Sequence, residues 1–189
     1  RYLHSFPTRL SSDLFGSGVY VGYATRISNS TISGNIEENP ANAKYGAGVF
    51  VRGTAALELE SSVVSGNELV QPGVSGYQSS DLGSNVDGVV VTGANNLINI
   101  VTHDVSVPAD TLRMLPDLGP LQPNGGLTPT QALNAGSPLI GRGNTVASPG
   151  SCDQRGAGYP RTTDGRIDIG AVQAPASADT IFGDGFDGL

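Results

Sequence analysis

The chain has 189 residues, among them 27 Gly, 12 Pro, 10 Lys or Arg and 17 Asp or Glu, for a formal charge of −7. Glycine runs well above its usual ~7% share, yet Gly and Pro together stay below the ~25–30% that marks low-complexity disorder, so a turn-rich folded domain with a real core is expected. The acidic balance argues against a duplex-binding surface, which needs clustered Lys and Arg, and no run approaches the ~18 apolar residues of a membrane helix.

The first stretch, Ser5-Phe6-Pro7-Thr8-Arg9-Leu10-Ser11-Ser12-Asp13-Leu14, resembles the translation of a common sequencing adapter, and Arg1 to Leu14 is set aside from the fold on that ground. The native chain is then expected to begin near Phe15, in mid-pattern, as the C-terminal fragment of a longer protein. Three phrases follow: Gly18-Val19-Tyr20-Val21, Gly48-Val49-Phe50-Val51 and Gly88-Val89-Val90-Val91. The first two lead on to Ser33-Gly34-Asn35 and Ser65-Gly66-Asn67.

Repeats of this length with variable inserts are the signature of a stacked β-solenoid. Period-two alternation such as Leu57-Glu58-Leu59-Glu60, broken by Gly, Asn and Ser, predicts short strands joined by tight bends. Helical periodicity is absent. The solenoid turns are placed over residues 15–117, with Val19, Val49 and Val89 above one another and Asn35 beside Asn67 in a ladder. Polar residues lining a ligand groove are the functional alternative for those asparagines.

The inserts from Ile36 to Tyr45 and from Glu68 to Asp87 read as loops on one face, the first place to look for a partner. Tyr77 is a candidate contact there, although a packed tyrosine fits equally well. Glu37 and Glu38 form the one adjacent acidic pair and fall in the first loop. Glu58 and Glu60 share a strand face two residues apart, and alternation alone makes them an outward, solvated stripe. His103 reads as a surface imidazole at a strand end. Cys152 is the single cysteine, so no internal disulfide forms, and with no basic partner nearby in sequence it is not a nucleophile. No catalytic, cofactor-binding or metal-binding residue is assigned.

From Leu118 the texture changes. The set runs Gly119-Pro120-Leu121-Gln122-Pro123-Asn124-Gly125-Gly126-Leu127-Thr128-Pro129-Thr130, Gly136-Ser137-Pro138-Leu139-Ile140, Cys152-Asp153-Gln154-Arg155-Gly156, Pro160-Arg161, and Asp168-Ile169-Gly170-Ala171-Val172. In this order it resembles the choice-of-anchor Q domain, a bacterial surface-protein module. The upstream turns are similar to polymorphic outer-membrane-type repeats.

The resemblance implies an all-β, right-handed parallel β-helix. It also implies a loop-rich capping module over 118–174, followed over 175–189 by a tail that reads as flexible by default, a sorting or anchoring signal being the alternative use. Many members have a second Cys just before Asp-Ile-Gly-Ala, where this chain has Ile167. Asp153, Arg155 and Arg161 are expected to fix the last turn rather than to catalyse. Asp184 and Asp187 offer oxygen ligands but lack the spacing of a Ca²⁺ loop.

The implied role is a non-catalytic secreted or cell-surface protein of a Gram-negative bacterium, a stalk, adhesin or glycan-contacting scaffold. Its surface ligand would be a glycan or a protein, nucleic acid is not a partner, and the full-length protein is expected to be a monomer without cofactors. The alternative is a polysaccharide lyase or glycoside hydrolase with its active site further upstream.

Overall fold

The computed structural model describes residues 9–11, 18–38, 46–70, 73–102, 105–145 and 150–176. These residues form an all-β structure with no helix, and hence no helix long and apolar enough to cross a membrane. After β1 (Arg9–Ser11) come three tiers. The first holds β2 (Val19–Val21), β3 (Thr25–Ser28), β4 (Thr31–Ile32) and β5 (Ile36–Glu38). The second holds β6 (Val49–Val51), β7 (Leu57–Glu60), β8 (Val63–Val64) and β9 (Glu68–Val70). After β10 (Gln78–Ser79), the third holds β11 (Leu82–Ser84), β12 (Val89–Ala94) and β13 (Leu97–Ile98).

Each strand lies parallel to its counterpart one tier on. The pairings β2–β6–β11, β3–β7–β12 and β4–β8–β13 build three sheets, and β1–β5–β9 builds a fourth. The antiparallel β10 covers the open edge of β9 and is the last strand of the fourth sheet. Beyond β13, Val101 bridges Leu82, β14 (Val105–Ser106) pairs with Val89–Val90, and Leu112 bridges Leu97. These pieces make a partial fourth tier over the third.

β-Branched and leucine side chains fill the interior because one face of each strand points inward. Val21, Ile27, Val49, Val51, Leu57, Leu59, Leu82, Val91 and Ile98 form one buried cluster. The bends use left-handed backbone at matched positions: Asn29, Ser61 and Asn95 have φ of 47°, 48° and 55°. Asn and Ser tolerate this conformation better than larger residues do, which is why they recur there.

Four expectations change. Val19 does pair with Val49, but the next residue in that column is Leu82, and Val89 belongs to the β3–β7–β12 sheet beside Val105. The stretch from Glu68 to Asp87 is not one loop, since it contains β9, β10 and β11. Glu37 and Glu38 lie in strand β5, with Glu37 buried. Arg9–Ser11, left out of the fold on sequence grounds, has a backbone that runs parallel to β5.

Candidate functional site

The C-terminal segment starts with a bulged antiparallel hairpin of β15 (Leu118–Gln122) and β16 (Thr130–Leu133). The irregular chain that follows lies along the flank of the tiers, over the outer face of β4, β8 and β13. In that sheet Thr31, Val63 and Leu97 are stacked in register. Leu139 and Ile169 are fully buried against Val63 and Leu97, forming a second apolar cluster distinct from the interior one.

Hydrogen bonds fasten this strap to all three tiers. The Ala171 N–H donates to Thr31 Oγ1 at 3.0 Å, and the Gly170 N–H donates to the Ser61 carbonyl at 2.8 Å. Asn95 Nδ2 donates to the Arg142 carbonyl at 3.0 Å, and Ser33 Oγ donates to Gln131 Oε1. A segment expected to fix the end of the fold therefore grips the side of all three tiers. Gly170 sits so close to the sheet that a Cβ there would lie 2.9 Å from Thr31 Oγ1.

The charged residues singled out in the sequence hold the strap in shape. Asp153 pairs with Arg155 (Nη2 to Oδ2 2.6 Å) and also accepts the Gln173 N–H at 2.8 Å. Arg155 lies over the Tyr159 ring, 4.2 Å from its centroid. Arg161 is buried and donates from Nη2 to the Asp168 carbonyl at 2.6 Å and to Asn29 Oδ1 at 3.2 Å. Asp168 accepts the N–H groups of Gly141 and Ala174, both at 2.6 Å. These carboxylates receive several N–H donors each, an arrangement that satisfies buried charge and leaves little lone-pair capacity for a substrate.

Within the strap lies a cavity of about 430 Å³ walled by Leu133, Ala135, Ile140, Ala174 and Pro175. Three of its polar lining groups are engaged in internal bonds: Asp168 as above, Gln173 to Asp168 N and Arg166 O, and Thr163 Oγ1 to Ala174 O. The exposed side chains of Asp164 and Arg166 stand beside them. The cavity could hold an apolar group, and its lining includes no Ser, Cys or His that could act as a nucleophile or as an imidazole base.

The remaining sequence candidates are scattered. Glu58 is partly exposed and paired with Arg26 (3.4 Å), whereas Glu60 is buried beneath the strap, where Oε1 accepts Asn144 Nδ2 at 2.9 Å. The two thus do not form the expected solvated stripe. Tyr77 is exposed, and Cys152 is a partly buried free thiol. His103, Asp184 and Asp187 lie outside the described residues. Among the described residues no three His, Cys, Asp or Glu side chains group as a metal site would require.

One buried acid escaped the sequence reading. Asp81, in the expected loop, is fully buried and receives the Asn67 N–H and Nδ2 on Oδ1 and the Ile100 N–H on Oδ2, each at 2.9 Å. Burial pushes its carboxyl above the usual value, against the opposing effect of the Asn67 and Ile100 bonds and the positive charge of Arg113. No family model, curated protein or solved structure matches this chain.

Proposed function

We propose that the chain is a right-handed parallel β-helix from a non-catalytic secreted or cell-surface protein of a Gram-negative bacterium, acting as a stalk, adhesin or glycan-contacting scaffold. The observation that carries this reading is the matched parallel pairing of tier on tier, Val19 with Val49 with Leu82 and Thr31 with Val63 with Leu97. Stacking of this kind builds long, rigid surfaces from short strands and suits display better than enclosure of a substrate. The strap is read as the choice-of-anchor Q module, and the burial of Asp153, Arg161 and Asp168 within its motifs supports a structural use of those residues.

Incubation with pectin and related glycans tests the non-catalytic part: no new reducing or unsaturated ends are expected, and their appearance would overturn it. An experimental structure tests the β-helix. Val19, Val49 and Leu82 should be stacked at the ~4.8 Å of neighbouring strands.

A further inference from the structure

We infer that the cavity within the strap is a seat for the chain's own C-terminal tail, with Ile181 and Phe182 as the side chains that fill it, a contact that goes beyond the scaffold reading above and does not depend on it. The cavity holds about 430 Å³, within the range of pockets that enclose a small ligand, and Leu133, Ala135, Ile140 and Pro175 give it an apolar lining. Ile140 is 40% exposed, so apolar surface is left there for an occupant to cover.

The course of the chain selects this occupant. Ala176 is the last described residue and itself lines the cavity, so residues 177–189 start from its wall. Four residues separate Ala176 from Ile181, enough for one chain reversal, and a tether of at most about 18 Å keeps the pair at high effective concentration beside the cavity. Ile181-Phe182 is the tail's adjacent pair of large apolar residues. Phe186 and Leu189 each stand among Gly and Asp and would need a longer, costlier loop to reach the same place.

Charge permits the fit without driving it. Arg166 and Asp164 are the exposed charges of the lining. The Arg166 stem passes Gly141, where a Cβ would lie 3.1 Å from its Cδ and 3.8 Å from Nη1, which sets the guanidinium beside the apolar wall. The tail carries Asp179, Asp184 and Asp187 and no Lys or Arg, so acids flank the apolar pair on both sides and Arg166 offers them a cation. Asp164 balances that cation, and burial of the pair therefore carries the affinity. Once seated, the pair is shut away from solvent and from any receptor, and the tail is available only in the fraction of molecules in which it has left the cavity.

Chymotrypsin cleavage after Phe182 in the full chain tests this, followed by mass spectrometry of the released fragments, with a synthetic 177–189 peptide as the unhindered reference. Cleavage about tenfold slower in the chain than in the peptide is expected, since burial of Phe and Ile outweighs closure of a short loop, and Ile140→Asp should restore most of the peptide rate. Ile140 is already part exposed, so circular dichroism and the melting temperature should confirm a folded variant. If that variant does not fold, the wild-type chain still decides: NOEs should join the Phe182 ring to the methyl groups of Leu133 and Ile140. Cleavage at the peptide rate, absence of those NOEs, or protection that Ile140→Asp leaves intact overturns the seat. Protection that grows with protein concentration assigns the cavity to the tail of a second copy and overturns the self-contact.

Discussion

Asp81 Oδ1 accepts both the backbone N–H and the side-chain Nδ2 of Asn67, each at 2.9 Å. One tier below, Asn67 Oδ1 accepts the N–H and Nδ2 of Asn35 at 3.1 and 2.7 Å. The column thus has a direction: every member donates toward the next tier. Its last member accepts on both sides: Oδ1 takes the two Asn67 donors, and Oδ2 takes the Ile100 N–H at 2.9 Å. Asn67→Ala removes the middle link and leaves buried donors and acceptors on both sides. A loss of at least about 3 kcal/mol is expected in urea unfolding, since each orphaned buried polar group costs about 1–3 kcal/mol.

Asp81 also gives the fold a pH dependence of definite sign. Its carboxyl titrates near 3.8 when exposed and higher when folded, so the fold favours the protonated form. The contribution is fully present below that unfolded value, declines as pH rises through the folded one, and is flat above. Asp81→Asn removes this titration while turning an NH₂ toward the Ile100 N–H. Unfolding curves between about pH 3 and 7 should show the stability of wild type relative to the variant falling as pH rises across that window. A difference that rises with pH would reject the burial argument.

The glycines of the repeated phrase serve the same column. A Cβ at Gly48 would sit 2.5 Å from the Asp81 carbonyl and 2.6 Å from Asn67 Nδ2, and one at Gly18 would sit 2.4 Å from the Gly48 carbonyl. In the first two tiers the corner asparagine, Asn35 or Asn67, fills the room that glycine leaves at the start of the tier. Gly48→Ala should therefore destabilise by about 1–3 kcal/mol, as overpacking does. Gly66→Ala provides the contrast: it meets nothing within 4 Å, so its cost comes from a φ of +74° alone.

Much of this was readable in the sequence where the column repeats its residues. Val-x-Val and Ser-Gly-Asn recur in the first two tiers, and Val19–Val49 and Asn35–Asn67 are neighbours as their spacing implies. The third tier escaped because it solves the same problem with different residues. Leu82-Gly83-Ser84 stands where the valine phrase was expected, and Asp81 takes the place of the glycine while itself supplying the ladder acceptor. The look-alike Gly88-Val89-Val90-Val91 then drew the alignment one sheet too far. The strap was unreadable for another reason: its anchors, Arg161 on Asn29 and Ala171 on Thr31, join residues 132 and 140 apart, and no local periodicity encodes such pairs.

The Asp153–Arg155 pair should behave as a buried ion pair and not as a catalytic one. The Asp153 side chain is fully buried and that of Arg155 is 13% exposed, at 2.6 Å. Arg155→Ala leaves the carboxylate with backbone donors alone and also strips the cation from the Tyr159 ring. A cost of about 3–5 kcal/mol is expected in thermal or urea unfolding. Arg155→Lys should recover only part of it, because an ammonium cannot reproduce the forked contact.

The strap and the tiers bury separate apolar clusters, so their stabilities can be separated. Ile169 and Leu139 meet Val63 and Leu97 on the outer sheet face, while Leu57, Leu59 and Val49 pack inside. Ile169→Ala should cost about 2–5 kcal/mol by opening a cavity at that seam. The loss should fall on the strap first: amide exchange should speed up at Gly170 and Ala171, whose N–H groups bond to Ser61 and Thr31, before it speeds up at Val49 or Leu59. Leu59→Ala reverses the order, because the interior cluster supports the sheet on which the strap lies. Equal acceleration across strap and tiers in Ile169→Ala would mean that the two clusters unfold as one cooperative unit, and the lateral seam would then not be a separable joint.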